Sequence, residues 1–367
     1  MRDELAERLF ASLMGEGPDD VLLTDARPLQ RMASYKYDEY GGFSPGVKFL
    51  ESLVTWIAQF DSAERPVAMK FVREELLFLS NREIYHALSL SYQDLVRPML
   101  IRKCAAAMSV EPWRVEKILA SEEFRIEQRS TLFMGLADGA RLDQFRRSNP
   151  ALVHDQFSSV AELPRRVAFS MRSDLNGDLN ARANGNHGLS RFRRFVLVDD
   201  FSGSGFTMLR SDAGGGWKGK LARFKVHVDE LKSWGVAEDD TEVHVLLYVA
   251  TDSAREYLTR RIDDTGWGWE LSIVQQIPTS TLLDRQSEFA DLCRKYHDPI
   301  VDDSIKANAD SGSSALGFRD GRLPLVLTHN TPNNSVGLLW ENTMDYPKSN
   351  LKRSALFPRH ERHKADR

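Results

Sequence analysis

The chain has 367 residues, of which 42% are hydrophobic and 28% charged, enough apolar material for about two packed domains. Its net charge of −4 excludes a general electrostatic attraction to nucleic acid or anionic membranes, so any such binding needs a local basic patch. The sequence has two distant cysteines, no apolar run near the roughly 20 residues of a membrane helix, and no apolar signal core at its charged N-terminus. We therefore expect a cytoplasmic protein without a disulfide framework and without a membrane partner.

Residues 1–125 are predicted to form an all-helical accessory domain. Apolar residues recur at helical spacing in residues 49–60, and Pro66 stands where another helix begins. Residues 81–101 have the pattern of a helix pair. Helices in residues 80–120 are compatible with a helix-turn-helix or with a bundle packed on the second domain, and the bundle is favoured because helix pairs are common and rarely bind DNA.

Residues 126–345 are predicted to form an α/β domain, because short apolar runs alternate with helices there, which favours a mostly parallel sheet. The predicted strands are residues 131–136, 195–198, 243–249, 270–274 and 323–328, and the predicted helices are residues 142–147, 221–234, 254–262 and 287–296. The polar, glycine-rich residues 176–188 predict an exposed loop. Residues 346–367 are basic and predict a tail, or a strap anchored by Leu356 and Phe357.

The segment 195–207, FVLVDDFSGSGFT, has the strongest pattern of a binding site. An apolar strand ends in Asp199 and Asp200, and open α/β sheets bind ligands beyond the carboxyl ends of their strands. The loop that follows offers backbone N–H groups, hydroxyl donors, glycines able to take positive φ, and the start of a following helix to a phosphate. The candidate phosphate-binding residues are Ser202, Gly203, Ser204, Gly205 and Thr207.

Two acids beside a phosphate-binding loop require a ligand with hydrogen-bond donors, such as ribose hydroxyls. A hydrated magnesium ion, Mg²⁺, held through water by Asp199 and Asp200, would ease the remaining repulsion. The alternative is a plain strand-to-helix turn with an aspartate cap, which does not need two acids and two glycines together.

A second loop, residues 135–141 with the sequence GLADGAR, follows an earlier predicted strand. Asp138 and Gly139 form a turn signal, and Arg141 is able to hold a phosphate through two hydrogen bonds. The alternative is a helix N-terminus with solvated arginines. After the main motif, residues 210–220 contain three glycines beside Trp217 and two lysines, Lys218 and Lys220, which fits a mobile flap or an exposed loop equally.

The third candidate is residues 328–340, THNTPNNSVGLLW, after the last predicted strand. Amide and imidazole groups can read the edge of a base, and Trp340 could stack on one. The alternative is an asparagine-rich turn around Pro332. The candidate binding residues here are His329, Asn330, Asn333 and Asn334.

Segment 195–207 resembles the signature of type I phosphoribosyltransferases: a hydrophobic strand, two acids, a small-residue loop and Gly-x-Thr, with Ser204 where the family more often has threonine. The resemblance implies that Asp199 and Asp200 hold the ribose 2′- and 3′-hydroxyls at the catalytic centre, and that residues 202–207 hold the 5′-phosphate. Residues 135–141 stand where these enzymes have a pyrophosphate-binding loop, although the sequence departs from theirs.

A narrower resemblance rests on four segments: 135–141, 198–205, HNTPNN at 329–334 and LFPR at 356–359. Together they are similar to the phosphoribosyltransferase-like proteins of bacterial conflict systems, including candidate effectors encoded beside retrons. This resemblance implies an anti-phage protein that makes or breaks an N-glycosidic bond of a phosphoribosyl compound or nucleotide. Two alternatives remain open: a catalytically inactive phosphoribosyl or nucleotide sensor, and a nucleic-acid-binding regulator. In each case, the helical domain or the basic tail could bind a protein or nucleic-acid partner of a defence system.

Overall fold

The computed structural model contains nine strands within the described residues: β1 Leu77–Leu79, β2 Thr131–Gly135, β3 Phe157–Ser158, β4 Phe192–Ser202, β5 Arg210–Ser211, β6 Trp217–Lys218, β7 Ala237–Thr251, β8 Glu270–Ile277 and β9 Leu325–Leu327. Five of them form the framework of the fold, a sheet that is parallel throughout, in the order β3-β2-β4-β7-β8. The predicted α/β class with a mostly parallel sheet is confirmed. The structure describes residues 3–15, 27–182, 190–299, 313–345, 349 and 351–359.

The chain divides into two compact units, Ile84–Ile277 and a discontinuous unit of Met1–Glu83 with Pro278–Arg367. This division differs from the linear boundaries after residues 125 and 345 that the sequence suggested. The helices between residues 97 and 129 pack on one another, and the last of them packs on β2 in the sheet unit. The C-terminal part returns to the N-terminal helices, because its apolar side chains complete their core.

The sheet unit buries β4 on both faces, as its continuous apolar run predicted. Phe195 and Leu197 face a core formed with Phe224 and Leu221. The helices and the π-helical turn of this unit are Asn81–Leu90, which begins in the other unit, Ser91–Val96, Arg97–Ala107, Val115–Leu119, Glu122–Arg129, Leu142–Arg147, Arg165–Arg182, Lys220–Ser233 and Asp252–Thr265.

Residues 176–182, predicted to belong to an exposed loop, instead continue the helix Arg165–Arg182. Buried Ala168, Met171, Leu175 and Leu179 recur at helical spacing and hold this helix on the core, which outweighs the polar residues between them. The rest of that predicted loop, residues 183–188, lies outside the described residues.

The discontinuous unit contains the helices Asp3–Met14, Arg27–Tyr35, Phe49–Ala58, Arg65–Glu74, Glu288–Lys295 and Gly337–Trp340. Its two-stranded sheet corrects two predictions: β9 pairs in parallel with β1 and not with the α/β sheet, and the N-terminal part is not purely helical. Buried Phe78 and Val326 lie in the common core of this unit, so the pairing of the two strands follows from shared burial.

Leu356 and Phe357 are fully buried in the same unit, where the strap interpretation had expected an anchor. The Phe357 N–H donates to the Leu339 carbonyl at 2.7 Å, and the Ser52 hydroxyl donates to the Leu356 carbonyl at 2.7 Å. Residues 346–348, 350 and 360–367 of the predicted tail lie outside the described residues. Within the described ranges, no helix combines the length and apolar character needed to cross a membrane.

Candidate functional site

Asp199 and Asp200 lie inside β4, which continues to Ser202 and does not end at residue 198 as predicted. β7 extends to Thr251 and pairs in parallel with the last residues of β4. This pairing keeps both acids within the sheet. Asp199 is 1% exposed and Asp200 is 8% exposed. The two carboxylates interact with each other, and each also has its own neighbour, Lys220 beside Asp199 and Gly139 beside Asp200.

Asp199 is held by Lys220, whose ammonium donates to the carboxylate Oδ2 at 2.5 Å. Burial raises the pKa of Asp199 from 3.8 to about 7; the Lys220 ammonium pulls this pKa down and the Asp200 carboxylate pushes it up. Desolvation therefore outweighs the ion pair, because a charged carboxylate loses more hydration in the sheet than one ammonium returns. The result is an acid that changes charge near neutral pH at the carboxyl edge of the central strand.

Asp200 lies directly against the second predicted loop. A Cβ added to Gly139 would come within 2.3 Å of the Asp200 Oδ2 atom, so a larger residue here would displace the carboxylate. The Leu136 N–H also donates to the Val198 carbonyl at 2.8 Å, which fixes the start of this loop beside β4. The structure thus brings the two predicted loops together at the carboxyl ends of neighbouring strands.

Tyr248, on β7, forms a hydrogen bond to the loop of residues 135–141. Its hydroxyl donates to the Ala140 carbonyl at 2.6 Å, and its ring is fully buried. Burial raises the pKa of Tyr248 well above its usual value, the Asp200 carboxylate adds to this, and Arg141 acts in the opposite direction. Tyr248 therefore remains a neutral donor, which keeps the loop in place beside Asp200. The sequence analysis missed this residue, since a tyrosine in an apolar strand resembles any core residue.

Arg141 adopts a left-handed backbone conformation, with φ +46°, between the short 3-10 turn Asp138–Ala140 and the helix Leu142–Arg147. Its guanidinium lies 5.4 Å from the ring centre of Tyr85 and is half-buried, whereas Asp138 is exposed. A non-glycine residue in this conformation is uncommon, and such residues concentrate at functional sites. Arg141 therefore follows directly on the turn that lies against Asp200, with its guanidinium over the Tyr85 ring.

The small-residue loop after β4 is organised by its own hydroxyl and by β7. The Ser202 hydroxyl accepts from the Gly205 N–H at 3.2 Å, and the Thr251 hydroxyl donates to the Gly203 carbonyl at 2.8 Å. Gly205 has φ +72°, as predicted, whereas Gly203 is not in the positive-φ region. Ser204 is half-buried and Thr207 is exposed.

The helix that follows this loop begins at Lys220, after the β5–β6 hairpin, one residue before its predicted start. The contribution of its dipole to a phosphate stays a prediction. Gly219 has φ +115° and lies so close to Met208 that an added Cβ would come within 2.5 Å of the Met208 carbonyl oxygen. This tight turn brings Lys220 to Asp199, a contact that the sequence did not predict.

The segment interpreted as a flap or a loop is a paired hairpin in this structure. Lys218 forms an ion pair with Asp212 at 2.8 Å, and the Asp212 N–H donates to the Gly216 carbonyl at 2.7 Å. Trp217 packs against the core of the sheet unit. Of the two lysines in the segment, Lys220 therefore enters the candidate site, while Lys218 has its partner within the hairpin.

The third candidate segment belongs to the discontinuous unit, and many of its polar groups bond to nearby backbone. The Asn334 amide donates to the Phe318 carbonyl at 3.1 Å, and the Asn330 side chain accepts from the Thr331 N–H at 3.0 Å. Trp340, expected to stack on a base, is 4% exposed and donates to the Ser335 carbonyl at 2.8 Å. The geometry has the local bonding of the asparagine-rich turn that was the alternative interpretation. His329 and Asn333 lie half-buried in the same turn.

No cluster of three or more His, Cys, Asp or Glu able to hold a metal occurs within the described residues. Two adjacent carboxylates are instead the donor set typical of Mg²⁺ that arrives with substrate phosphates and keeps several waters. Asp199 and Asp200 are the residues that would hold such an ion, and in this structure the Asp199 Oδ2 atom is bonded to Lys220.

A family model described as PRTase-CE matches residues 53–359 of the chain. No curated protein and no solved structure matches the chain. The matched range includes both candidate loops, β4 with its two acids, and the segment that carries His329.

Proposed function

The chain belongs to the PRTase-CE family and is thus a phosphoribosyltransferase-like protein, and from this premise we propose that the carboxyl edge of β2 and β4 binds ribose 5-phosphate as part of a phosphoribosyl compound. The observation that carries the proposal is the position of Asp200, a nearly buried carboxylate wedged against Gly139 of the neighbouring loop. The two acids and the two loops predicted to bind phosphate groups lie at the carboxyl ends of the paired strands β2 and β4, where α/β proteins bind their ligands.

Each part of the edge has a role in this proposal. Asp199 and Asp200 accept hydrogen bonds from the ribose 2′- and 3′-hydroxyls, and residues 202–207 surround the 5′-phosphate. Arg141, with the Asp138–Gly139 turn, holds the pyrophosphate or another leaving group. The hydrogen bonds from Tyr248 and Thr251 to the two loops support this proposal, because loops held in place lose less conformational entropy on binding.

The reaction that this arrangement supports is the making or breaking of an N-glycosidic bond at ribose C1. Breaking the bond from C1 to its leaving group develops positive charge on the ribose ring, and the two carboxylates stabilise that charge. In transfer, a base nitrogen then bonds to C1; in hydrolysis, a water oxygen does so and releases its proton. Magnesium, bound with the phosphates, would supply neutralisation of the leaving group's charge.

A sensor that binds without turnover is the second candidate, and the Lys220 contact favours it. An ammonium at 2.5 Å neutralises Asp199, the acid that would otherwise stabilise charge on the ribose. In that case the ligand binds without turnover, and the N-terminal helices pass on the signal.

The proposal extends to an anti-phage role in the bacterial cytoplasm, with a retron or similar system as the partner. Its support is the resemblance of residues 135–141, 198–205, 329–334 and 356–359 to conflict-system proteins. Phage challenge of cells that express the wild type or the Asp200→Asn variant tests this role: protection by the wild type alone is expected, and equal plaque counts in both would contradict it.

A turnover assay separates the enzyme from the sensor. The wild type, Asp200→Asn and Asp143→Asn are incubated with phosphoribosyl pyrophosphate or with nucleotides, and released pyrophosphate and free base are measured. Asp143 is the matched control because its side chain is 67% exposed and pairs with Arg146 and Arg147. Turnover in the wild type and in Asp143→Asn but not in Asp200→Asn supports the enzyme, while binding without turnover supports the sensor.

A further inference from the structure

A small cavity lies near the amino ends of the strands, whereas Asp199 and Asp200 lie near the carboxyl ends. It has a volume of about 50 Å³ and is bordered by the end of the helix Glu122–Arg129, by the segment before β3 and by the helix Arg165–Arg182. One of its walls, Gln156, donates to the carbonyl of Thr131, the first residue of β2, at 3.0 Å. The cavity therefore sits at the amino end of β2, and the whole strand separates it from the proposed ribose site.

Arg129 carries the strongest evidence for a ligand in this cavity. Its side chain is 8% exposed, and its Nε donates to the Asp178 carboxylate at 2.6 Å. Its two terminal nitrogens, Nη1 and Nη2, are buried and have no hydrogen-bond partner among the described residues. A buried guanidinium with unused donors is costly, because each unsatisfied group loses its hydration without a replacement.

Arg125, one turn earlier on the same helix, also borders the cavity. Its Nη2 donates to Glu122 at 3.1 Å, while its Nη1 is buried and unpaired within the described part of the chain. Three guanidinium nitrogens thus need an acceptor near one another. The Asp178 carboxylate is 42% exposed and accepts from the Arg129 Nε, so that bond does not satisfy the three buried nitrogens.

The amide of Gln156, another wall of the cavity, is bonded elsewhere. Gln156 donates to the Gln128 carbonyl at 2.6 Å and accepts from the Val153 N–H at 3.1 Å, so its amide is fully committed. A volume of about 50 Å³ accommodates a few waters or one tetrahedral oxyanion, because a single water needs only about 10–15 Å³. Guanidinium groups bind such oxyanions through paired, charge-assisted hydrogen bonds.

We propose that this cavity is a second anion site, which binds a phosphate group through Arg129 and Arg125. The proposal does not depend on the function of the carboxyl edge. The phosphate comes either as inorganic phosphate or as the phosphate of a nucleotide, and the chemistry of recognition is the same for both.

The test uses Ala151, an exposed residue at the rim of the cavity. Ala151→Glu places a negative charge beside the arginines without disturbing the core, and Ala151→Gln is the uncharged control of the same shape. Full-length wild type, both variants and Arg125→Gln are titrated calorimetrically with inorganic phosphate and with adenosine monophosphate. Arg125→Gln is chosen over a change at Arg129 because Arg125 is more exposed and contributes less to packing.

Phosphate binding that weakens about tenfold or more in Ala151→Glu and Arg125→Gln, but not in Ala151→Gln, is the expected result. Binding of inorganic phosphate identifies the free anion as a ligand, and binding of the nucleotide alone identifies its phosphate as the source. Equal affinities in all four proteins would place any bound phosphate elsewhere and overturn the proposal. The absence of binding by either probe at millimolar concentration would mean that the cavity holds only water, and would overturn it as well.

Discussion

Asp199→Asn is expected to abolish a step in the pH dependence of stability that the wild type shows. Burial raises the pKa of Asp199 from 3.8 to about 7, so between these values the folded protein binds a proton that the unfolded chain releases. The contribution of this group to stability is therefore present at low pH and is lost as pH rises through this window. Linkage over the interval from pH 5 to pH 8 gives a loss of about 2–3 kcal/mol in the free energy of unfolding.

The variant lacks the titrating group, so its stability relative to the wild type should rise by that amount across the same interval. The absolute difference at one pH also contains the lost ion pair with Lys220, which is why the pH dependence and not a single value is the measured quantity. The free energy of unfolding is measured at each pH by urea unfolding of both proteins in chelator-treated buffer, with tryptophan fluorescence as the signal. Asp143→Asn, at an exposed position, is the control and should follow the wild type.

Parallel stability curves for Asp199→Asn and the wild type would refute the reasoning. They would mean that the Lys220 ammonium keeps Asp199 ionised throughout, and that desolvation does not dominate at this position.

The other predictions concern the groups around the two acids. Lys220→Met removes the ammonium that lowers the pKa of the buried acid, so the stability step should move to higher pH in the same urea experiment; an unchanged midpoint would argue against the contact. Gly139→Ala needs a shift of about 1 Å in the Asp200 carboxylate, so we expect ligand affinity to fall about 10- to 100-fold in calorimetry while the melting temperature changes little. Tyr248→Phe leaves the Ala140 carbonyl without its donor and should cost about 1–3 kcal/mol in urea unfolding, and a neutral effect would mean that water replaces the hydroxyl.

The sheet and its acidic edge were predictable because their signals are local. The apolar run of β4, the two acids and the glycines are read directly from residues 195–207, and the rule that parallel strands align their carboxyl ends places the loop with Gly139 beside them. The predicted end of β4 was early, since two carboxylates resemble the end of a strand. Pairing with the long β7 keeps them in the sheet.

Contacts between residues far apart in sequence were not predictable. β9 has the same apolar pattern as a strand of the main sheet, and only the shared core with β1 decides its partner. The sequence does not show which of Lys218 and Lys220 contacts Asp199. The β5–β6 hairpin and the turn at Gly219 place Lys220 there. The burial of Arg129 was not predictable either, because a single arginine at the end of a helix is most often solvated.

Calorimetric titration with phosphoribosyl pyrophosphate, with and without magnesium, tests the central claim most directly. The proteins are the wild type, the double variant Asp199→Asn with Asp200→Asn, and the control Asp143→Asn, with ribose 5-phosphate as a second ligand. The account predicts magnesium-dependent binding by the wild type and the control, and loss of binding in the double variant with its fold intact by circular dichroism. Equal binding by all three proteins, or no binding of either ligand by the wild type, would contradict the assignment of the carboxyl edge as a phosphoribosyl site.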